Sequence, residues 1–263
     1  MTLAVGLVAL VYATVGHAGA TGYIALMTLF GMSAEVIRPT ALMLNIVVGA
    51  ITALQFGRAG YVRAHQIVPL VCGSIPAALI GGWLVPSVPF FEVVVGGVLI
   101  LSAAGVWRDK VPRPHAVPKS LLGQSALGQS TLGQSVMLFA VGILLGLLSG
   151  LTGVGGGVFL TPTLLFMRSA PVKQVAATSA VFILVNSIAG LIGWVSAGNT
   201  LPRVASELVV AVAIGGVIGS RLGAFELTPR TLRTCIVFVL LLAGTKLLFQ
   251  ALVSLGFVPI YDS

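Results

Sequence analysis

The sequence predicts an all-α polytopic membrane protein, and three observations support that fold class. Of the 263 residues, 57% are hydrophobic and only 8% are charged, whereas a soluble domain carries roughly 25% charged residues. Apolar segments long enough to cross roughly 30 Å of hydrocarbon recur along the chain, without the alternation that is typical of barrel strands. Two of these segments are interrupted by clustered glycines at corresponding places, a pattern typical of transporter binding sites.

Eight apolar segments are predicted to form the membrane-embedded helices. Segments 1–31 and 136–168 are the two that glycine interrupts, and each is followed by three further segments. The other six are 40–57, 67–85, 90–107, 175–197, 204–222 and 232–253. No basic stretch precedes the first apolar residues, so segment 1–31 is expected to belong to the mature fold rather than to a cleaved signal peptide.

The two halves of the chain align, which predicts two structural repeats within one transport domain. Residues 1–107 form the first membrane repeat and residues 136–263 form the second. Between them, residues 108–135 contain three prolines and three copies of Leu-Gly-Gln-Ser, a composition typical of a flexible polar linker. The matching positions are Gly16, Gly19 and Gly22 with Gly150, Gly153 and Gly156 at an offset of 134, and Thr40 and Gly60 with Thr178 and Gly198 at an offset of 138.

The distribution of basic residues favours inverted repeats. If all eight segments cross the membrane, the loop Lys and Arg residues divide seven to six between the two sides. If segments 1–31 and 136–168 are re-entrant hairpins, only Arg38 and Arg203 lie on one side, and the other side holds eleven: Arg58, Arg63, Arg108, Lys110, Arg113, Lys119, Arg168, Lys173, Arg221, Arg230 and Arg233. Basic residues accumulate in short cytoplasmic loops. We therefore expect each repeat to be a hairpin plus three spanning helices, with the charged loops cytoplasmic and both termini periplasmic.

The second glycine motif, Gly153-Val154-Gly155-Gly156-Gly157, is the strongest candidate for a binding site. Glycine costs about 1 kcal/mol of helix stability relative to alanine, so four glycines in this stretch predict a helix break. A helix that restarts there offers free N–H groups and the positive end of its dipole, a combination that binds small anions. The alternative is close helix packing, but packing favours a spacing of four on one face, and this cluster is denser.

The first glycine motif, residues 16–22, adds a titratable residue. His17 could donate a hydrogen bond to an anion or carry a coupling proton, and a structural, hydrogen-bonded histidine is the alternative. The second half has Leu151 at the corresponding position, so the two halves are not functionally equal.

Hydroxyl and amide side chains near the breaks complete the predicted site. Thr178 and Ser179 open the helix after the second hairpin, as Thr40 does after the first, and N-capping is their alternative role. Buried amides such as Asn45 and Asn186 act either as interhelical contacts or as substrate ligands. The predicted substrate-binding residues are Gly19, Thr21, Gly22, Thr152, Gly153, Gly155, Gly156, Gly157, Thr178, Ser179 and Asn186, with His17 as the proton-coupling candidate.

Other classes of function fit the sequence poorly. The net charge of +8 arises mostly in short loops without interleaved aromatic residues, so nucleic-acid binding is not expected. No carboxylate lies in the middle of a segment, which favours an anionic substrate over a cationic one. Cys72 and Cys235 lack metal-ligand spacing, and no metal or cofactor is expected. An intramembrane hydrolase would need Ser149 as nucleophile with His17 as its partner, and the motifs of membrane proteases are absent, so an enzyme is not expected.

These residues resemble the TauE/SafE family of sulfite exporters and related membrane transporters. The resemblance rests on residues 150–162, residues 177–180 and Asn186 in the second half, and on residues 16–22, Thr40 and residues 55–60 in the first. It covers nearly the whole chain apart from the linker. It implies export or exchange of a small organosulfur anion, such as sulfite, sulfoacetate or a related sulfonate, across a bacterial inner membrane.

The resulting hypothesis is a secondary transporter that holds its anion at the two glycine breaks near the membrane midplane and works by alternating access. Its expected partners are the anion and the lipid bilayer. The sequence does not define the oligomeric state, and a homodimer is compatible with it. An importer of another small anion with the same fold and an anion channel are the alternatives that the sequence leaves open.

Overall fold

The computed structural model describes residues 1–84, 131–167 and 170–254, together with residues 100, 103, 104 and 107. Most of the predicted segment 90–107 and of the predicted linker 108–135 therefore lies outside the described residues. Within the described part, the regular elements are all helices. Five of them are long and apolar enough to cross a membrane: Glu35–Arg58, Ala64–Trp83, Gly133–Thr152, Val172–Ser196 and Ser206–Glu226. The prediction of an all-α, multi-pass membrane protein is confirmed.

Each glycine motif divides its apolar segment into two helices. Segment 1–31 forms α1 (Thr2–Thr14) and α2 (Ala20–Leu29), and segment 136–168 forms α5 (Thr131–Thr152) and α6 (Gly157–Phe166). The third Leu-Gly-Gln-Ser copy, expected in the linker, lies in the first turns of α5. The remaining helices are α3 (Ala34–Arg58), α4 (Ala64–Trp83), α7 (Val172–Ser196), α8 (Ser206–Arg221) with a π-helical turn at Leu222–Glu226, and α9 (Pro229–Ser254).

Thr40 and Thr178 are not N-caps, contrary to the alternative considered for them. Helix α3 begins at Ala34 and helix α7 begins at Val172, so each threonine lies well inside its helix, almost two turns from the start. The helices extend upstream of the apolar segments because residues such as Glu, Arg, Lys and Gln are good helix formers. Both threonine side chains are therefore buried among helices rather than placed at a helix end.

Glycines at every fourth residue let α5 pack directly against α4. A Cβ atom on any of them would clash with a carbonyl oxygen of α4: Gly142 faces Leu70, Gly146 faces Ser74 and Gly150 faces Ala78. The contacts advance by four residues on both helices, so the two helices run parallel. Small residues at this spacing allow backbones to approach closely in membrane proteins.

The same arrangement joins α1 to α8. Three glycines spaced by four, two in α8 and one in the π-helical turn that follows it, lie against the backbone of α1. They are Gly215 against Gly6, Gly219 against Leu10 and Gly223 against Thr14. The first helix of each half thus packs against a helix of the other half, so the interior of the molecule is formed by both halves together.

The long helices α3 and α7 cross in opposite directions at the centre. Gly49 of α3 lies against Leu184, whereas Gly190, further along α7, lies against Leu42, which is earlier in α3. Opposite progression of the contacts along the two chains means an antiparallel pair. The side chains at this crossing are therefore placed between the two halves.

At both breaks the chain reverses toward the helix that precedes it. Gly22, in the first turn of α2, lies against Val8 of α1. Gly156, just before α6, lies against Ser149 and Leu145 of α5. A helix that simply continued after the break would move away from these residues, so the chain turns back at both breaks.

Replacing Gly146 with alanine is expected to destabilise the fold, because the added methyl group would overlap the Ser74 backbone and side chain. Overpacking of this kind costs about 1–3 kcal/mol. Gly57→Ala is the matched control, since a Cβ there meets only Val62, at 3.7 Å, and alanine favours a helix by about 1 kcal/mol. Thermal unfolding in detergent should give a lower midpoint for Gly146→Ala only. Equal midpoints for the two variants would contradict the close α4–α5 packing.

Candidate anion-binding site

The second break is a tight turn between α5 and α6 that requires glycine. Gly153, Gly155 and Gly156 have φ angles of 72°, 80° and 75°, in the left-handed region that side-chain-bearing residues rarely adopt. There is also no space for a side chain, because a Cβ on Gly155 would lie 2.7 Å from Asn45 Nδ2. The density of glycine in this motif is therefore explained by the turn, in addition to any close packing.

The turn leaves backbone donors at the start of α6 without partners. The N–H of Gly153 donates to the carbonyl of Ser149 over 3.0 Å, and that of Val154 donates to Thr152 Oγ1 over 3.3 Å. Within the described residues, no acceptor is found for the next four N–H groups, those of Gly155, Gly156, Gly157 and Val158. They lie at the positive end of the α6 dipole, so the turn can hold an anion without a lysine or arginine.

Side chains from α3, α5 and α7 surround this turn and carry unsatisfied polar atoms. Asn45 Nδ2 donates to the Val154 carbonyl over 3.3 Å, but Asn45 Oδ1 has no partner in the described part of the chain. Ser187 Oγ, close to Gly155, and Ser149 Oγ, on the helix that packs against Gly156, are also buried and unpartnered there. Such atoms cost about 1–3 kcal/mol each, so their clustering indicates a place for a ligand or ordered water.

His17 connects the two breaks through a buried chain of hydrogen bonds. His17 Nε2 lies 2.7 Å from Thr161 Oγ1 in α6, and Thr161 Oγ1 lies 2.8 Å from Ser179 Oγ in α7. None of the three residues is more than 1% exposed. His17 Cδ2 also lies 3.5 Å from the position of a Cβ on Gly157. The second ring nitrogen, Nδ1, has no partner among the residues described, so it is available to a proton or a ligand.

The predicted ligands of the first break contact α1 and α2. Thr21 Oγ1 donates to the Tyr12 hydroxyl over 2.9 Å. Gly22 lies against Val8, and Gly19, with a φ of 104°, lies against the ring of Tyr23. From the first motif, His17 is hydrogen-bonded to Thr161 of α6.

The predicted ligands outside the second turn differ in whether their polar atoms already have hydrogen-bond partners. Thr152 Oγ1 donates to the carbonyl of Leu148 over 2.7 Å while it accepts from Val154, so it terminates its own helix. Asn186 Nδ2 donates to the carbonyl of Phe182 over 2.8 Å within α7. Asn186 Oδ1 and Thr178 Oγ1 are buried without a partner in the described ranges. Ser179 belongs to the histidine chain.

Two residues of the site were not predicted from the sequence, Thr161 and Ser187. Helical spacing could have indicated both. Thr161 lies four residues after Gly157 in α6, and Ser187 lies eight residues after Ser179 on one face of α7. Ser149 was considered only as a nucleophile, and the structure directs His17 Nε2 to Thr161 instead.

Comparison with known proteins assigns the chain to a family. The sequence profile described as "Sulfite exporter TauE/SafE" matches residues 1–247. The chain belongs to the TauE/SafE family. The resemblance carried by the glycine motifs is thereby confirmed.

Relatives of this TauE/SafE family member are named as membrane transporters. The chain is 39% identical over 249 residues to "Probable membrane transporter protein y4hK" of Sinorhizobium fredii, covering 95% of this chain and 97% of that protein. It is 24% identical to "Probable membrane transporter protein YunE" of Bacillus subtilis, covering 82% and 81% of the two chains. No solved structure matches the chain. Together with the five apolar helices, these names identify a multi-pass membrane transporter.

Thr161→Val is expected to lower stability by about 1–3 kcal/mol, because it leaves His17 Nε2 and Ser179 Oγ buried without partners. Thr163→Val is the matched control on the same helix, since the Thr163 hydroxyl donates only to the carbonyl of Phe159 over 2.8 Å. Thermal unfolding in detergent should separate the two variants. A Thr161→Val midpoint as high as that of Thr163→Val would show that the histidine chain contributes nothing to stability.

Proposed function

We propose that this TauE/SafE family member is a secondary transporter that exports a small organosulfur anion across the bacterial inner membrane. The class comprises sulfite, sulfoacetate and related sulfonates. The observation that carries the proposal is the buried glycine turn, with four N–H groups that lack acceptors within the described residues. The description of the family as sulfite exporters supports a sulfur oxyanion as the ligand.

The anion binds at the second break in this proposal. Its oxygens accept hydrogen bonds from the N–H groups of residues 155–158, and the hydroxyls of Ser149 and Ser187 can add further donors. Asn45 Oδ1 can only accept, so it favours a substrate that carries an O–H group as well as anionic oxygens. Among the anions considered, singly protonated sulfite has both.

Alternating access requires two halves that can move against each other, and inverted repeats supply them. Three contacts support this arrangement. Helix α1 pairs with α8 and α5 pairs with α4, which are corresponding pairs under the offsets found in the sequence. The equivalent helices α3 and α7 are antiparallel, as a two-fold axis in the membrane plane requires. The reversal of the chain at both breaks supports re-entrant hairpins, with the charged loops cytoplasmic and the termini periplasmic.

His17 is the proton-carrying residue in this proposal. Of the histidines that the structure describes, it is the one held beside the second turn, and its Nδ1 has no partner among the described residues. Under the repeat offsets, the positions that correspond to His17, Thr161 and Ser179 are Leu151, Met27 and Ala41. Since an apolar trio fills the equivalent place in the other half, packing alone does not require the polar chain, and a functional role accounts for it.

Flux of sulfite and sulfoacetate in proteoliposomes, with and without a pH gradient, tests the function. Saturable flux driven by the gradient is the expected result. Flux that neither saturates nor follows the gradient would indicate an anion channel, and saturable flux of a different small anion would indicate a carrier with another substrate. No flux of either sulfur anion in folded protein would remove the substrate assignment.

Ser187→Ala is expected to weaken the apparent affinity for sulfite by about tenfold or more, because a hydrogen bond to a charged group contributes about 1.5–3 kcal/mol. Ser74→Ala is the matched control, since Ser74 Oγ is equally buried and unpartnered within the described residues but lies at the α4–α5 contact. The measurement is KM for sulfite flux in proteoliposomes. Equal KM values for the two variants would remove Ser187 from the site.

His17→Gln is expected to abolish the dependence of sulfoacetate flux on the pH gradient, because glutamine can hydrogen-bond to Thr161 but cannot carry a proton, and a sulfonate, unlike sulfite, does not change its own protonation near neutral pH. His65→Gln is the matched control, since His65 is exposed in the first turn of α4. Flux at zero and at imposed pH gradient is compared for the three proteins. A His17→Gln protein that still responds to the gradient would exclude His17 as the proton carrier.

A further inference from the structure

The guanidinium of Arg38 binds several backbone carbonyls at once. Arg38 Nη1 donates to the carbonyl of Leu84 over 3.1 Å. Arg38 Nη2 lies 2.8 Å from the carbonyl of Gly81, 3.2 Å from that of Gly82 and 2.5 Å from that of Gly150. These are the carbonyls at the C-terminal ends of α4 and α5, where helix dipoles favour a cation.

The same guanidinium joins the two halves of the protein. Its own helix and the end of α4 belong to the first half, whereas Gly150 belongs to the second. The guanidinium carbon also lies 5.1 Å from the ring centre of Trp194 in α7, a cation–π distance. No carboxylate in the described ranges pairs with Arg38, so its positive charge is balanced only by carbonyl dipoles and an aromatic ring.

Arg38 also borders the glycine turn and has a free donor there. The Cγ of Arg38 lies 2.8 Å from the position of a Cβ on Gly153, the first residue of the turn. Arg38 Nε is buried and has no acceptor among the residues described. A guanidinium can bind two oxygens of a planar or pyramidal oxyanion along its Nε–Nη edge, which a lysine cannot do.

We propose that Arg38 is a second anion site, which the substrate occupies between the glycine turn and the solvent on the Arg38 side. This inference rests on the proposed function, because the ligand is the same sulfur oxyanion. The anion takes the Nε–Nη edge and competes with the carbonyls of α4 and α5 for the guanidinium. Its binding loosens the contact between the two halves on this side, so Arg38 selects for anions and closes the path when no anion is present.

An orientation signal is the other explanation for Arg38, as it is for Arg203 on the same predicted side. Their contacts distinguish Arg38 from Arg203. Arg203 is exposed in the connection between α7 and α8, whereas Arg38 is bonded to both halves. Arg203→Gln is therefore the matched control for loss of one positive charge.

Trp194 provides a direct reporter of binding at Arg38. The other tryptophans, Trp83 and Trp107, are 56% and 66% exposed, so both can be replaced by phenylalanine without disturbing the interior. In the protein that carries Trp83→Phe and Trp107→Phe, Trp194 is the only tryptophan that emits. Sulfite that replaces chloride stepwise at constant ionic strength should change this emission, and the change should saturate. The change should be absent in Arg38→Gln, about tenfold weaker in apparent affinity in Arg38→Lys, and unaltered in Arg203→Gln.

Transport kinetics supply the second readout. KM for sulfite flux is expected to rise about tenfold or more in Arg38→Gln, to recover in part in Arg38→Lys and to stay unchanged in Arg203→Gln. A Trp194 emission that does not respond to sulfite in the protein with wild-type Arg38 would overturn the proposal, even if Arg38→Gln fails to fold. Unchanged KM in a folded Arg38→Gln protein that transports sulfite would overturn it as well, while leaving the proposed function intact. Absence of flux in the wild-type protein would instead remove the proposed function.

Discussion

Backbone N–H and C=O groups cannot rely on water inside a bilayer, and the structure depends on how its broken helices meet that requirement. At the second break, Thr152 accepts from the N–H of Val154, and Asn45 donates to the carbonyl of the same residue. Arg38 binds carbonyls at the ends of α4 and α5. The carbonyl groups around the break thus largely have hydrogen-bond donors in the protein, whereas the N–H groups of residues 155–158 lack acceptors among the described residues. A ligand whose anionic oxygens accept hydrogen bonds supplies what is missing.

Close packing determines where this unsatisfied turn lies. Gly150 packs against Ala78 of α4, its carbonyl accepts from Arg38, and it is the last glycine of the spaced series before the turn begins. Because α5 cannot slide along α4 without clashes, its C-terminal end has a fixed position at the crossing of α3 and α7. Asn45 and Ser187 meet the turn at that crossing. Packing and binding therefore depend on the same run of glycines, with different members serving each role.

Local signals in the sequence predicted the helices and their breaks, since hydropathy and glycine density are read directly from neighbouring residues. They failed where a helix extends beyond its apolar part, so Thr40 and Thr178 were considered as caps although they lie inside helices. They also failed for contacts between distant residues. Nothing near Thr161 in the sequence indicates that its hydroxyl joins a histidine 144 positions away. Arg38 was counted as a loop charge because its carbonyl partners lie at the ends of α4 and α5, between 43 and 112 positions away in the sequence.

The side chains make the two ends of the molecule unequal even where the backbones correspond. Under the proposed two-fold relation, Arg38 corresponds to Ala176 and Gly150 corresponds to Gly16. Ala176 packs its backbone against Gly16, so no cation lies at that position. An anion approaching from the Arg38 side meets a guanidinium, whereas on the other side the basic group beside the end of α8 is the ammonium of Lys173, which donates to the carbonyl of Ala224 over 3.1 Å and lies 5.4 Å from the ring centre of Tyr61. Such asymmetry cannot drive net transport, because a carrier at equilibrium obeys the gradients of its ligands whatever its structure. It can make the affinity for the anion differ between the two sides, while the gradients of the anion and of its coupling ion determine whether the protein exports or takes up the anion.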